Sequence, residues 1–569
     1  MPRVTCAIIL LFFVSCNTET SVRSLDELVI RLDSEPTSIH PMLSSVSLDR
    51  QVHEYIYLSL GDFHPKTLEM IPVLLEELPK VETVEDMPGH SIYRMLLKLD
   101  AVWADGTPIT GEDVAWTIKI ALHPEVNNPG WKQLLKDVKS IEVDAQDPKR
   151  LSITIEDDYF LTKDALLTAE IFSKNFHDPD GVLDDYSVAD IKDLATANIT
   201  SDLSEVVQRF ASTTYTKERE NGSGPYRLES WETGQYLSLI QKSDYWGEAY
   251  PDNPFLRSNP NRLIFQIIPD NAVAVTLLKS DEVDFLDMMS QTYVAYDDLK
   301  KTEEEDLDFY QMDIPRYYFL TLNNDDVRLS DVRVRRALQH ITDVDRIIRQ
   351  AEGGYGTRLA APIHPSRPEY NDGLEPVTYD VDLARELLDA AGWIDSDGDG
   401  IRDRLIGGVS VPMSLRLFGT GSALGKTITN IITEDAAKLG IEIVAINKPY
   451  RDLVRTHFRT GDFEMGTLLI TGEGKTDPSV YWGSASVGSG GRNFGSYQSE
   501  KADRLIEQIQ STSADIQLQA YRDFQQQVYD DAPAIFLYAP QGRVAVDGKI
   551  IPYLSTKRPN YFANAFSVN

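Results

Sequence analysis

The chain is poor in the residues that build metal and redox centres. Of its 569 residues only two are cysteine, Cys6 and Cys16, both within the first sixteen. From residue 17 onward no disulfide can staple the fold and no thiolate can serve as nucleophile or ligand. Histidine is thin and scattered, nine in all, which argues against a centre built from imidazoles. Beyond the N-terminus no stretch approaches the ~18 apolar residues that span a bilayer. Basic charge is short too: 55 Lys and Arg stand against 89 Asp and Glu, a formal net charge of -34. Such a surface repels nucleic acid and anionic membrane. It serves solubility or forms an acidic funnel for cationic solutes. The motifs of catalysis are missing as well: no G-x-S-x-G, no H-E-x-x-H and no Walker A. No spacing among the many carboxylates marks out an acid–base pair, so no enzymatic reaction is expected.

What is present is a chain too long for one core, so two or three domains are expected. The N-terminus has a basic residue, Arg3, and an apolar run from Ala7 to Val14, too short for a mature membrane span. Residues 1–15 read as a signal peptide. Phe13-Val14-Ser15-Cys16 resembles a lipobox, although Phe13 stands where Leu is usual. Cleavage there would leave Cys16 as a lipidated first residue, anchoring the protein to a membrane at the periplasm or cell surface. The alternative is an ordinary secretory signal with an idle cysteine. Residues 16–27, the lipidated cysteine and a polar run, read as a tether.

One stretch organises the rest. Tyr93, Met95, Leu97 and Leu99 alternate with polar residues, the period of a strand with one buried face. Asp105-Gly106 follows as a tight turn, and Thr110 with Asp113 three positions on forms a capping box opening a helix. The text W-x-D-G-x-P-I-T-x-E-D-V from Trp103 resembles the signature of the family 5 extracytoplasmic solute-binding proteins, the oligopeptide, dipeptide and nickel receptors of ABC importers. Five further patterns keep the family's order. They are the P-x-S-I-x-P loop at Pro36–Pro41, Gly222-Ser223-Gly224-Pro225 running to Tyr245-Trp246-Gly247, and YYFLTLNN from Tyr317. VRVRRALQHITDVDRII with helical spacing over Ser330–Ala351 comes next, and DDAPAIFLYAP from Asp530 is last. A phosphate cradle at Gly222–Gly224 is a poor reading, since the lysine and following helix of a P-loop are missing.

The resemblance implies an α/β, two-lobed fold of the periplasmic-binding-protein type II kind with a subdomain added to lobe one. Lobe one is expected over 28–290 with the subdomain at about 61–220, lobe two over 291–534, and a return to lobe one over 535–569. It implies a monomer that grips a peptide or other small solute in the interlobe cleft and passes it to the transmembrane subunits of an ABC permease, with no cofactor required and no nucleic-acid partner. A nickel chelate, an oligosaccharide or a sensing role without transport is the alternative. Thr37 and Ser38 in the proline loop, and Tyr317 and Asn323 on the strand entering lobe two, are candidate cleft residues. TGEGKTDPSVYW over Thr471–Trp482 resembles the family's cleft loop. Peptide-binding members place an acid four residues before its proline to hold the ligand's α-amine, and here that position is Gly474. Glu473 or Asp477 replaces it, or the ligand has no α-amine. Tyr481 and Trp482 are candidates to stack on a ligand, or they pack. Arg492 can clamp a carboxylate, with Asn493 beside it.

Asp395, Asp397, Asp399 and Asp403 stand at positions 1, 3, 5 and 9 of a glycine-rich run, the pattern by which an EF-hand-type loop wraps oxygen ligands around calcium. Ile406 stands at position 12 instead of the bidentate Glu. The expectation is a structural calcium loop or a plain turn.

Overall fold

In the computed structural model the described residues are 27–568, apart from 45, 47, 84–88, 157–158, 196–197, 289–292, 303–305, 473, 489 and 511–513. The expected signal, Cys16, most of the expected tether and Glu473 lie outside them. No helix among the described residues is long and apolar enough to cross a membrane.

A twelve-stranded mixed sheet runs through the chain. Its strands are β1 (Glu27–Leu32), β2 (Tyr226–Glu232), β3 (Tyr236–Gln241), β4 (Arg262–Ile267), β5 (Phe285–Asp287), β6 (Leu307–Asp313), β7 (Arg316–Leu322), β8 (Gly356–Arg358), β9 (Ser414–Thr420), β10 (Glu442–Lys448), β11 (Met465–Thr471) and β12 (Ala534–Asp547). Across the sheet the order is β10-β9-β11-β7-β12-β5-β1-β4-β3-β2, with β6 and β8 also paired to β12. β12 belongs to both halves: Ala534–Tyr538 pairs with β7, while Gln541–Asp547 pairs with β6 and Val544–Val546 with β5. The chain therefore crosses between halves twice, at 313–316 and at 538–541.

Each half has a parallel set. β1 runs parallel to β4 and β5, and β9 runs parallel to β10 and β11. Between β9 and β10 lies the helix Ala423–Ala437, capped by the Ser422 hydroxyl and left through Gly440 at φ +69°, where a side chain would be strained. This is a βαβ unit. One hydrophobic cluster centres on Leu28, Ile30, Phe265, Phe285 and Val546, and another on Leu320, Leu322, Leu415, Leu417 and Leu537.

The described residues within 293–313 pair and pack with the first half, past the expected boundary at 290. β6 pairs with the far end of β12, and Tyr296 and Leu299 of the helix Tyr293–Lys301 share a cluster with Val29 and Ile268. Along β12 the pairing passes from β7 to β6 and β5 over 538–541. The spacing over Ser330–Ala351 resolves into two helices, Val332–His340 and Val344–Glu352. The break falls where the Asp343 side chain caps the second, accepting from the Arg346 amide at 2.8 Å.

The strand before the Trp103 motif, His90–Leu96, sits in a separate antiparallel four-stranded sheet. Tyr93, Met95 and Leu97 are buried as expected, but Leu99 lies past the strand in a turn and is 69% exposed. The Thr110 amide donates to Asp113 Oδ2 at 2.8 Å, closing the capping box of the helix Gly111–Leu122. Asp113 Oδ1 also accepts from the Lys174 amide at 2.9 Å, and burial pushes its carboxyl up. On the helix Val381–Ala390, Ala384 and Leu388 face inward, while Leu383 is exposed.

Candidate functional site: the seam between the halves

The two parallel sets present their C-terminal ends to the same place. β1 and β5 end at Leu32 and Asp287, β11 ends at Thr471, and Thr471 pairs with Arg316 at the start of β7. In α/β folds that edge carries ligands, because unpaired backbone and loop side chains converge there. A cavity of about 370 Å³ opens at this edge, with Asp33, Gln51, Asp287 and Arg558 from the first half and Arg316 from the crossing segment in its wall. Arg31 lines it too and is fixed from behind: its Nε donates to the Ile268 carbonyl at 2.8 Å and one Nη to Asn271 Oδ1 at 2.9 Å.

Beside this cavity the subdomain of the first half touches the loop after β11. Tyr159 donates its hydroxyl to Asp477 Oδ2. Phe160 packs on the aromatic cluster of the second half, and Phe63 lies against Gly474. Under that loop a small void of about 30 Å³ is walled by Tyr317, His364, Arg367, Glu369 and Tyr521. Arg367 and Glu369 form a buried ion pair at 3.2 Å, and burial brings the His364 imidazole down to about 4.

The seam gathers some of the expected residues and not others. Asp477 is there, but its carboxylate already accepts from Tyr159, from Gln510 Nε2 at 3.1 Å and from the Ser479 amide at 2.9 Å. Tyr317 is buried, and its hydroxyl donates to the Pro362 carbonyl at 3.0 Å. Tyr481 and Arg492 pair with each other, the guanidinium donating to the phenol oxygen at 3.0 Å, so that this arginine is partly engaged.

Others belong to the scaffold. Thr37 donates from its amide and hydroxyl to Asp49, at 2.7 and 2.6 Å, and the Ser38 hydroxyl accepts from the His40 amide at 2.9 Å. Neither lines the seam cavity. Trp482, read as either stacking on a ligand or packing, is packed on Phe319 and Phe536 and is buried. Asn493 is buried with its amide donating to the Gly483 and Tyr497 carbonyls. Asn323 lies at the opposite end of β7 from Arg316 and holds the Phe463 carbonyl at 3.0 Å. A loop polar residue and a buried turn clasp read alike in sequence, and only the pairing direction separates them.

In the acidic loop Asp395, Asp397 and Asp403 each bring one oxygen within 4.8 Å of the others, and Asp399 does not join them. Their oxygens also accept from the loop itself: Asp395 from the Gly398 and Gly400 amides at 2.7 and 3.1 Å, and Asp403 from the Ser396 amide at 2.9 Å.

Arg31, Asp33, Phe63, Tyr159, Asp287 and Arg316 escaped the sequence reading. The first, second and fifth stand at the C-terminal ends of parallel strands.

Two halves hinged on a shared strand around a charged seam define a two-lobed α/β solute-binding protein. The chain belongs to the bacterial extracellular solute-binding proteins of family 5, whose middle-region pattern matches residues 69–492. It is similar to the oligopeptide-binding protein AppA of Bacillus subtilis, 23% identical over 536 residues, covering 93% of this chain and 88% of AppA. To the nickel-binding periplasmic protein of Escherichia coli it is 26% identical over 323 residues, 55% of this chain and 58% of that one. AppA in complex with a nonapeptide superposes with a TM-score of 0.63 at 22% identity, covering 95% of this chain and 99% of that one. HbpA2 from Haemophilus parasuis gives 0.76 at 20% identity, covering 95% and 100%. At such identities the superpositions speak for the fold.

Proposed function

We propose that the protein captures a short peptide in the seam, closes over it by motion about the two crossings, and hands it unaltered to the transmembrane subunits of an ABC permease. The observation that carries this reading is a cavity at the C-terminal ends of β1 and β5, beside the crossing between the halves, lined by carboxylates and guanidiniums, a wall suited to a zwitterion. AppA, named for oligopeptides and matched over most of both chains, supports the peptide class. Lobe one is then 27–313 with 541–568, including the subdomain at about 61–220, and lobe two is 314–540. The protein works as a monomer and turns nothing over. It is held at the membrane through lipidated Cys16, and Cys16→Ser should release it to the soluble fraction.

One observation favours a second reading, a solute without an α-amine such as a metal chelate. Gly474 offers no carboxylate, and Asp477 is already engaged. Native mass spectrometry of protein purified from its source distinguishes the two by the mass of the co-purified solute. A solute containing no peptide bond, or one released chemically changed, overturns the proposal.

The three converging aspartates fit a structural calcium ion completed by backbone oxygens or water, since calcium takes about six to eight oxygens. Calcium would then raise the melting temperature and Asp397→Asn would abolish the rise. No rise leaves the loop a hydrogen-bonded turn.

A further inference from the structure

We propose that Arg316 anchors a carboxylate of the solute, an assignment that rests on the peptide reading above. Arg316 sits on the first crossing between the halves, the opening residue of β7, and faces the cavity whose other walls come from the first half. It is half-buried. Among the described residues its guanidinium has no hydrogen-bonding or ion-pairing partner. Glu352 feels its charge only from a distance, and that carboxylate is turned to the Tyr538 hydroxyl at 3.1 Å and to Arg543 at 3.7 Å. The neighbouring cation of the cavity differs: Arg31 spends its guanidinium on carbonyls and Asn271.

Partly buried and facing the cavity, the guanidinium is available to an acceptor that enters it. Its planar fork matches a carboxylate with two parallel hydrogen bonds. The cavity carries three arginines, Arg31, Arg316 and Arg558, against Asp33 and Asp287, so it is locally cationic in a chain of net charge -34. At physiological salt the distant acids are screened beyond about 8 Å, and an anionic group entering the seam meets the local sign. Because Arg316 lies on the crossing itself, a carboxylate held there engages the hinge that must move on closure.

The test uses the full chain and two probes, a Pronase digest of casein and the same digest with its carboxylates methyl-esterified, with retained peptides read by mass spectrometry. Wild type is expected to retain the untreated digest and about tenfold less of the esterified one, as for loss of a charge-assisted hydrogen-bond pair. Arg316→Gln should lose that discrimination, binding the acid peptides about tenfold more weakly and the esters unchanged. Arg316→Lys keeps the charge without the fork, should show an intermediate ratio, and carries the comparison if the glutamine variant does not fold. Equal retention of both digests by wild type, or full discrimination by Arg316→Gln, overturns the anchor and leaves the peptide reading standing. Retention of neither digest by wild type overturns the peptide reading itself, and the assignment with it.

Discussion

Phe63 and Gly474 meet across the seam so closely that a Cβ on the glycine would sit 2.9 Å from both Cε2 and Cζ of the ring. The ring belongs to the hairpin Gly61–Phe63 and Met70–Pro72 of the first half, and the glycine to the loop after β11. The glycine thus lets the first half rest on the backbone of the second.

A side chain at 474 must displace that ring. Gly474→Asp is expected to destabilise the protein by about 1–3 kcal/mol, the usual cost of overpacking. Phe63→Ala should absorb most of that cost. Urea unfolding of the two single variants and the double variant gives the coupling, expected at about 1 kcal/mol or more. Strict additivity would show that the two residues do not press on each other in solution.

Tyr159 closes the same seam through its hydrogen bond to Asp477, with Gln510 supporting the carboxylate. Tyr159 is 38% exposed, so the bond adds little to global stability. Its role is to bias the two halves toward contact. Tyr159→Phe should leave the melting temperature almost unchanged, raise the radius of gyration measured by small-angle scattering, and weaken solute binding about 2–10-fold as the closed fraction falls. An unchanged radius of gyration with unchanged affinity would falsify the latch.

Much of the scaffold was legible because its signals are local. The Trp103 turn, the Thr110–Asp113 box and the βαβ unit each follow from neighbouring residues. Arg335, in the VRVRRAL text, reads in sequence as one of three arginines on a charged helix. In the fold it is buried and collects the carbonyls of Leu329, Ser330, Asp531 and Ala532 at 2.8–2.9 Å. The candidate site was less legible. Trp482 and Asn493 carry the right chemistry but point into the core, and Arg316 stands immediately before YYFL and reads as an ordinary strand end. Which face a loop side chain takes depends on contacts hundreds of residues away, as Tyr159 with Asp477 illustrates.

The two strongest sequence patterns also clasp each other. Asn221 Nδ2 donates to Asp105 Oδ2 at 3.0 Å, Asn221 Oδ1 accepts the Asp105 amide at 3.0 Å, and the Ala104 amide donates to the Gly222 carbonyl at 3.1 Å. A Cβ on Gly222 would lie 2.1 Å from the Ile56 carbonyl oxygen, which explains the glycine there. Asn221→Ala removes both side-chain bonds and strands the Asp105 amide, at an expected cost of about 1–3 kcal/mol. Asp105→Ala combined with it should add less than its own separate cost. The urea midpoints of the three variants decide it; an unshifted Asn221→Ala would make the clasp incidental.

Acid should weaken the first half through its buried histidines. His40 is fully buried, stacked on Phe172 at 4.5 Å and edge-on to Phe210 at 4.4 Å, and neither ring nitrogen has a hydrogen-bond partner among the described residues. Burial brings His40 and His53 down to about 3. Both are neutral in the fold, whereas the unfolded chain binds a proton at each near pH 6.5. Stability is therefore fully present above that pH and falls as pH drops toward 3, by ~1.4 kcal/mol per pH unit for each histidine. Glu170 and Asp113 pull the other way, since burial raises their carboxyls and the fold takes up those protons first. The measurement is therefore a difference: the unfolding free energy of wild type and His40→Phe between pH 7 and 5. Phenylalanine keeps the aromatic contacts and removes the titration, so across that interval the variant should lose about 2 kcal/mol less than wild type. Equal slopes would mean that the His40 site opens to solvent and protonates without unfolding.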